Sequence, residues 1–530
     1  MAIANLIIRN ARLHSFHQGW KENQADTLAI SGNKIEAVGK WEFLQPLIGP
    51  QTEVLDARGK TLLPGFNDTH IHIWKVGNLR TYMLDVRAAG SLEEMLQMLD
   101  QYARAYPEAP WITARGFNEA GWEKGQMPTS DDLDRVIPSR PVFVIRTCAH
   151  IAVANSRAME ISGIDQTTPA PVGGMIYRNH AGKLNGIFSE TALGLISGHI
   201  PPYNSFQLKK MIEAAREQLY AKGITAATDP AVDPLLLDTY REMDRNGELG
   251  FRLNAIPILL PDGGGRPYPV GDCFSSSFMQ VNMVKFFSDG GLSGKTSALK
   301  GYYKNSHEQG VLRLDRDQFR ALGKQAMAKG FGIATHAIGD AAIEFVIEEY
   351  KQLGAQFPGI MKRIEHLGLP EKKHLVDMSA YHIAASMQTI FISELGKNFI
   401  KYLGQEYLDH CYPVRSVLEH GILMALSSDA PVVREFNPFK GMEAAITRRD
   451  NEGNIIAAHE SIGIREALKA YTSDAAALSG TPLIGALKEG MLADFIVIDG
   501  DPLETKPEQL TGIRVEKTYV NGKCVWEKNP

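Results

Sequence analysis

Between about residues 61 and 484 the chain alternates two hydrophobic patterns, and this alternation restricts the fold more than any other feature. Short apolar or β-branched runs follow one another: "TLLPGFNDTHIH", "GITAATDPA", "FRLNAIPILL", "VNMVKFFSDG", "GIATHAIGD", "KRIEHLGL", "HIAASMQTI" and "GILMALSSDAP". Most are separated by longer stretches with apolar residues every three or four positions, such as "SFQLKKMIEAAREQLYAKG", "LDRDQFRALGKQAMAKG" and "DAAIEFVIEEYKQLG". The short runs read as strands and the longer ones as amphipathic helices. Strand and helix in repeated alternation build a parallel sheet, and eight such units predict a (β/α)8 TIM barrel, an α/β fold of roughly 250 residues. A doubly wound open sheet is the alternative that the pattern leaves.

The chain has 530 residues, more than one ordinary core accommodates, and the surplus lies in two places. Residues from about 78 to 205 form a large insertion after the first strand, rich in aromatic, proline and polar residues. An insert at that point is expected to cover the active-site face of a barrel. The two ends, 1–60 and 485–530, are β-prone, and "VEKTYVNGKCVWE" reads as a hairpin turning at Asn521-Gly522. They are predicted to join into one composite small β domain, sandwich-like, with 61–484 as the barrel.

Composition narrows the function. A net charge of -5 gives no electrostatic footprint for nucleic acid. No segment approaches the roughly 18 uninterrupted apolar residues of a membrane span, and the N-terminal apolar run is too short for a signal peptide, so a cytoplasmic protein is expected. The four cysteines are widely spaced, which suits a reducing compartment rather than a disulfide framework or a cysteine zinc site.

The chemistry concentrates at strand ends. In "LLPGFNDTHIHIWK" His70 and His72 are two apart, and residues i and i+2 of a strand face the same side. Lys285 lies on the fourth predicted strand, His336 on the fifth, His366 on the sixth and Asp429 on the eighth. All six sit near C-terminal ends, the face where barrel chemistry occurs. Any one alone reads as an ordinary core or surface residue; five strands delivering them to one mouth read as a metal site. "DGGLSGKT" fails as a phosphate-binding loop because Asp289 stands where that motif needs glycine. Asp289 and Lys295 are instead expected to line a substrate pocket. His150, Asn155 and Glu190, in the insertion, are candidates for contacts to substrate polar groups or for structural hydrogen bonds.

These motifs, with "LDRVIPSRPVF", "AHIAVANSRAM", "GGMIYRNHAGKLNGIFSETA", "VKFFSDGGLSGKTSAL", "THAIGD", "RIEH", "SSDAPV" and "EGMLADFIVID", make the chain resemble the amidohydrolase superfamily, in the large branch that includes N-substituted formamide deformylase. The phrases span almost the whole chain. One departure is that Cys148-Ala149 precede His150, where the branch often has Asp-Gly. The resemblance implies a metal-dependent hydrolase of a small amide or N-acyl compound, with two Zn2+ per chain. His70 and His72 would bind the more buried ion, His336 and His366 the more exposed one, and Asp429 would touch the first ion and shuttle the proton. Lys285 would be carboxylated and bridge the two ions, because an ammonium has donors only and cannot ligate. Manganese or iron suits the same donors. Homo-oligomers are common in the family. The alternatives are hydrolysis of a cyclic amide or ester, or a catalytically silent regulatory protein on the same fold.

Overall fold

A computed structural model describes residues 2–17, 19–147, 151–171, 174–261 and 266–529. The protein is mixed α/β and divides into two compact units, Met1–Ile73 with Arg216–Asp262 and Arg266–Pro530, and Trp74–Ala215 with Gly263–Gly265.

The first unit contains eight parallel strands, β1 (Phe66–Asp68), β2 (Ile224–Val232), β3 (Arg252–Pro257), β4 (Met283–Phe287), β5 (Gly332–Ala337), β6 (Lys362–His366), β7 (Ile383–Met387) and β8 (Met424–Leu426). Most of their residues are buried whichever way they point, which explains why the runs read as continuous rather than alternating. The strands are hydrogen-bonded as two sheets, one containing β1, β2 and β3, the other β4 to β8 in chain order. Short links join them at both sides. Ile258 bridges Lys285 after β3, and beyond β8 the Asp429 amide donates to the His70 carbonyl at 2.7 Å. The helices Ser205–Ala221, Arg316–Ala328 and Asp340–Gln356 fall where the apolar periodicity puts them. No helix among the described residues is long and apolar enough to cross a membrane.

"TLLPGFNDTHIH" is not one strand but two in different sheets. Thr61–Pro64 pairs antiparallel with Phe495–Ile498, in a sheet that also holds Arg12–Leu13, Val515–Val520 and Lys523–Glu527. The crossing comes at Gly65, where a Cβ would collide with the side chain of Thr225, rather than between residues 60 and 61. A second sheet, of Lys34–Gly39, Thr27–Ser31, Leu6–Arg9 and Glu53–Asp56, shares one core with the first, formed by Ile8, Leu28, Ile30, Leu62, Phe495 and Tyr519 among others.

The second unit is built on its own six-stranded sheet. Strand alternation sends Val142, Val144, Val153 and Ile187 into one apolar cluster and Phe143, Ala152, Ala154 and Phe188 into another. This sheet is therefore buried on both faces, and the insertion carries a core rather than a loose loop.

Two buried polar contacts fasten the terminal strands. Arg252 of β3 donates to both oxygens of Asp494, at 2.8 and 3.0 Å, and the Asp494 carbonyl accepts from Gly65 N at 3.0 Å. Asp494→Ala should cost roughly 3–5 kcal/mol, because it leaves a buried guanidinium unpaired; denaturant unfolding measures this. His14 lies between Glu22, 2.6 Å from Nδ1, and Asp501, 3.0 Å from Nε2. Burial alone would lower its pKa, but the two carboxylates outweigh it and raise it. Its stabilisation is therefore complete below the ordinary histidine range near 6.5 and is lost as pH climbs through the raised value. His14→Gln should lose about 1.5–3 kcal/mol at pH 6 and show a flatter stability profile above it, read by thermal unfolding across pH.

Candidate metal centre

His70 and His72 lie just beyond β1, in the segment leading to the helix Ile73–Asn78. The strand-like spacing continues past the ladder because neighbouring strand ends hold the backbone. Ile71 N donates to Thr228 O and His72 N to Ala430 O, both at 2.9 Å. The two rings therefore converge, with centroids 5.7 Å apart and planes nearly perpendicular. Asp429 reaches the same point from the end of β8 with its backbone in the left-handed region, φ 57°. Such a conformation costs a non-glycine residue of order 1 kcal/mol or more and persists only where surroundings fix it. Its anchors are the His70 carbonyl and the buried Asp68, which accepts from His70 N at 3.2 Å and Ser428 N at 3.1 Å. Burial pushes the Asp68 carboxyl up to about 6, against the opposing bonds from Ser428 and His70.

Asp429 Oδ1 stands 3.4 Å from His70 Nε2 and 3.3 Å from His72 Nε2. One ligand atom from each of these three residues lies within 4.8 Å of the others. Oδ1 is buried yet makes no hydrogen bond of good geometry to either ring. A buried oxygen facing two imidazole nitrogens without a hydrogen bond fits a divalent cation, whose ligands are neutral imidazole and carboxylate.

His336 and His366 adjoin this trio, with ring centroids 4.4 Å apart and His366 4.8 Å from His70. His366 Nδ1 is 2.7 Å from Gln388 Oε1, which leaves Nε2 for a ligand. His336 Nε2 is 3.1 Å from the Gly290 carbonyl, which leaves Nδ1. Burial drives the His366 pKa well below the imidazole range, and the neighbouring His336 and His70 push it further, so the ring is neutral as a ligand requires. For His70 burial acts in the same direction, but Glu365 and Asp429 outweigh it and raise its pKa. Burial alone would raise Asp429; His70 and His72 outweigh it and hold the carboxyl well below its usual range. Lys285 is fully buried on β4, with Nζ 4.7 Å from the Phe287 ring centre.

Three residues that sequence reasoning passed over complete the centre. Glu365 Oε2 is 2.5 Å from His70 Nδ1, Gln388 holds His366, and Asp229 Oδ1 is 3.9 Å from His72 Nδ1. Glu365 was visible within "RIEH", two positions from Arg363 on the same face. Gln388 and Asp229 gave no signal beyond standing at the ends of β7 and in β2.

The family model described as "Amidohydrolase family" matches residues 53–526. N-substituted formamide deformylase of Arthrobacter pascens is 27% identical over 99% of this chain and 98% of its own length. YtcJ of Bacillus subtilis (strain 168) is 28% identical over 96% of this chain and 97% of its own. Among solved structures, an uncharacterized metal-dependent hydrolase from Pyrococcus horikoshii OT3 superposes with TM-score 0.78 at 25% identity, covering 95% of this chain and 99% of that one.

The expected substrate contacts fare differently from the metal-capable groups. Asn155 is fully buried and caps the helix Ser156–Ile161. It accepts from Ala158 N and Val142 N at 2.9 Å and donates to the Ile137 and Arg140 carbonyls at 2.8 and 2.9 Å. Asp289 accepts from Ala298 N, Ile338 N and Gly339 N at 3.0, 3.1 and 2.8 Å and stands 3.3 Å from His336 Nε2. Both side chains are committed to holding backbone, because a buried polar group must be satisfied, and neither is carried forward as a substrate contact. Lys295 pairs with Glu308. Glu190 ends the strand Leu184–Glu190, and His150 lies outside the described residues. Asn155→Ala should therefore lower stability by about 1–3 kcal/mol and leave KM unchanged, as paired unfolding and kinetic measurements would show.

Proposed function

The chain belongs to the amidohydrolase family, and on that premise we propose that it is a metal-dependent hydrolase cleaving the C–N bond of a small amide or N-acyl compound. The observation that carries this reading is the convergence of two histidine Nε2 atoms on Asp429 Oδ1, at 3.4 and 3.3 Å. The eight parallel strands are read as one closed (β/α)8 ring, with the two ends forming a composite β domain. The metal-dependent hydrolase from Pyrococcus horikoshii OT3 supports the metal, and the deformylase supports an amide-type substrate.

In this reading His70, His72 and Asp429 would hold one divalent ion and His336 and His366 a second, and zinc, manganese and iron all suit these donors. Lys285, buried on β4, is proposed to be carboxylated and to bridge them. When bound, such ions lower the pKa of water toward neutrality and polarise a carbonyl. The protein's own part is to orient and to move protons. Asp429 takes the proton from the attacking water on its carboxylate and returns it to the departing nitrogen. The four imidazoles would contribute neutral nitrogens, and in His70, His336 and His366 the ring is oriented by the group bonded to its other nitrogen.

Zinc-loaded protein screened against formamides, other N-acyl amines and cyclic amides tests the reaction class; no hydrolysis of any C–N substrate would overturn it. Asp429→Asn should largely keep its metal while turnover falls by about 10²–10⁴-fold. His70→Ala should lower the metal content itself, measured by elemental analysis. Lys285→Ala should lose activity and one ion, with both partly restored by short carboxylates.

A further inference from the structure

Strand β6 reads Lys362-Arg363-Ile364-Glu365-His366, and alternation places Arg363 and Glu365 on one face. Both are fully buried. A buried carboxylate is strongly disfavoured unless paired and hydrogen-bonded, and Glu365 has two partners. Arg363 Nε donates to Oε1, and His70 Nδ1 lies 2.5 Å from Oε2. Arg363 is also fixed at its far end, where a guanidinium nitrogen donates to the Thr69 carbonyl at 2.9 Å. Thr69 precedes His70, so the links from Thr69 through Arg363 and Glu365 to His70 close into a ring. Such a ring does more than neutralise charge, because it ties the His70 imidazole to its own backbone.

We propose that Glu365 is a positioning residue for His70. Its carboxylate, held by Arg363, keeps the proton on Nδ1 and presents the Nε2 lone pair to a divalent cation shared with His72 and Asp429. This rests on the metal-hydrolase reading only for the presence of the cation. His366 supplies an internal comparison, since its Nδ1 meets the neutral Gln388 oxygen at 2.7 Å. A carboxylate behind a ligating imidazole fixes the tautomer and also raises its basicity as a ligand, so charge at position 365 acts on His70 as the amide at 388 does not on His366.

The test is the affinity of metal-stripped protein for zinc, measured by competition with a chromogenic chelator. Glu365→Gln keeps an acceptor oxygen and removes the charge, whereas Glu365→Leu removes both. Zinc binding should weaken by roughly 10–100-fold, more for leucine than for glutamine. Activity of the glutamine variant should return as zinc is raised, with KM unchanged. Because glutamine leaves Arg363 buried without its partner, the double variant Arg363→Met/Glu365→Gln removes both charges; it should fold and show the same weakening. A carboxylate with a purely structural role would lower the melting temperature of the metal-free protein and leave zinc affinity of the folded protein unchanged. That result, in Glu365→Gln or in the double variant, overturns the inference while the hydrolase reading stands. Wild-type protein that binds no zinc or other divalent ion overturns both.

Discussion

The hydrogen bond from the Asp429 amide to the His70 carbonyl is the contact on which the centre depends. It joins the segment after β8 to the segment after β1, and the reciprocal bond from His72 N to Ala430 O makes the junction double. Linking the two sheets and assembling the candidate site are consequently one structural event. The same two bonds that satisfy backbone groups at the sheet edges bring Asp429 Oδ1 to the two Nε2 atoms. Asp68 adds a third tie by accepting from both segments. A shift of either strand end would break buried backbone bonds as well as the site, and unpaired buried backbone groups are rare because they are costly.

The backbone pays for this convergence at particular residues. His366, Leu367 and Asp429 all adopt positive φ, at 76°, 48° and 57°. Regular alternation would turn His366 away from the face that Glu365 occupies, yet Glu365 bonds to His70 and the His366 ring, tilted by 55°, has its centroid 4.8 Å from that of the same histidine. The left-handed turn at the end of β6 reconciles the two by redirecting the strand at its last residue. Strain of order 1–3 kcal/mol per residue collects at such sites when the surroundings over-determine them, and here buried hydrogen bonds on both sides do so.

Much of this was legible in the sequence, and the part that was not has physical reasons. The strands appeared because strands buried on both faces are short apolar runs, and His70, His72, Lys285, His336, His366 and Asp429 stood out as polar residues at or near their ends. The two-residue spacing of His70 and His72 correctly implied convergence, although both lie beyond the ladder of β1. The break at Gly65 was hidden, since an apolar run does not reveal where a chain changes sheets. The sequence leaves Asn155 open between a substrate contact and a structural hydrogen bond, and the loop after the fourth strand suggests a pocket role for Asp289, because a polar residue does not name its partner. Their partners are backbone amides and carbonyls, which every sequence supplies and no motif marks. Gln388 is hidden for a different reason, because the ring nitrogen it holds belongs to His366 on a neighbouring strand.

The terminal sheets show how distant segments support the centre. Asp494 immediately precedes the strand Phe495–Ile498. Its carbonyl receives Gly65 N, its carboxylate receives Arg252 of β3, and Asn521 N donates to it at 2.8 Å. One residue from the C-terminal region thus grips the start of β1, the start of β3 and the turn of the last hairpin. Only Gly65 separates Pro64, in the terminal sheet, from Phe66, in β1, so little slack exists between this grip and the histidines beyond Asp68. The composite sheet contributes no ligand, yet it sets where β1 begins, and a strand this short carries that placement directly to His70 and His72. A sheet that carries no ligand is thereby part of the positional accuracy that a site of converging side chains requires.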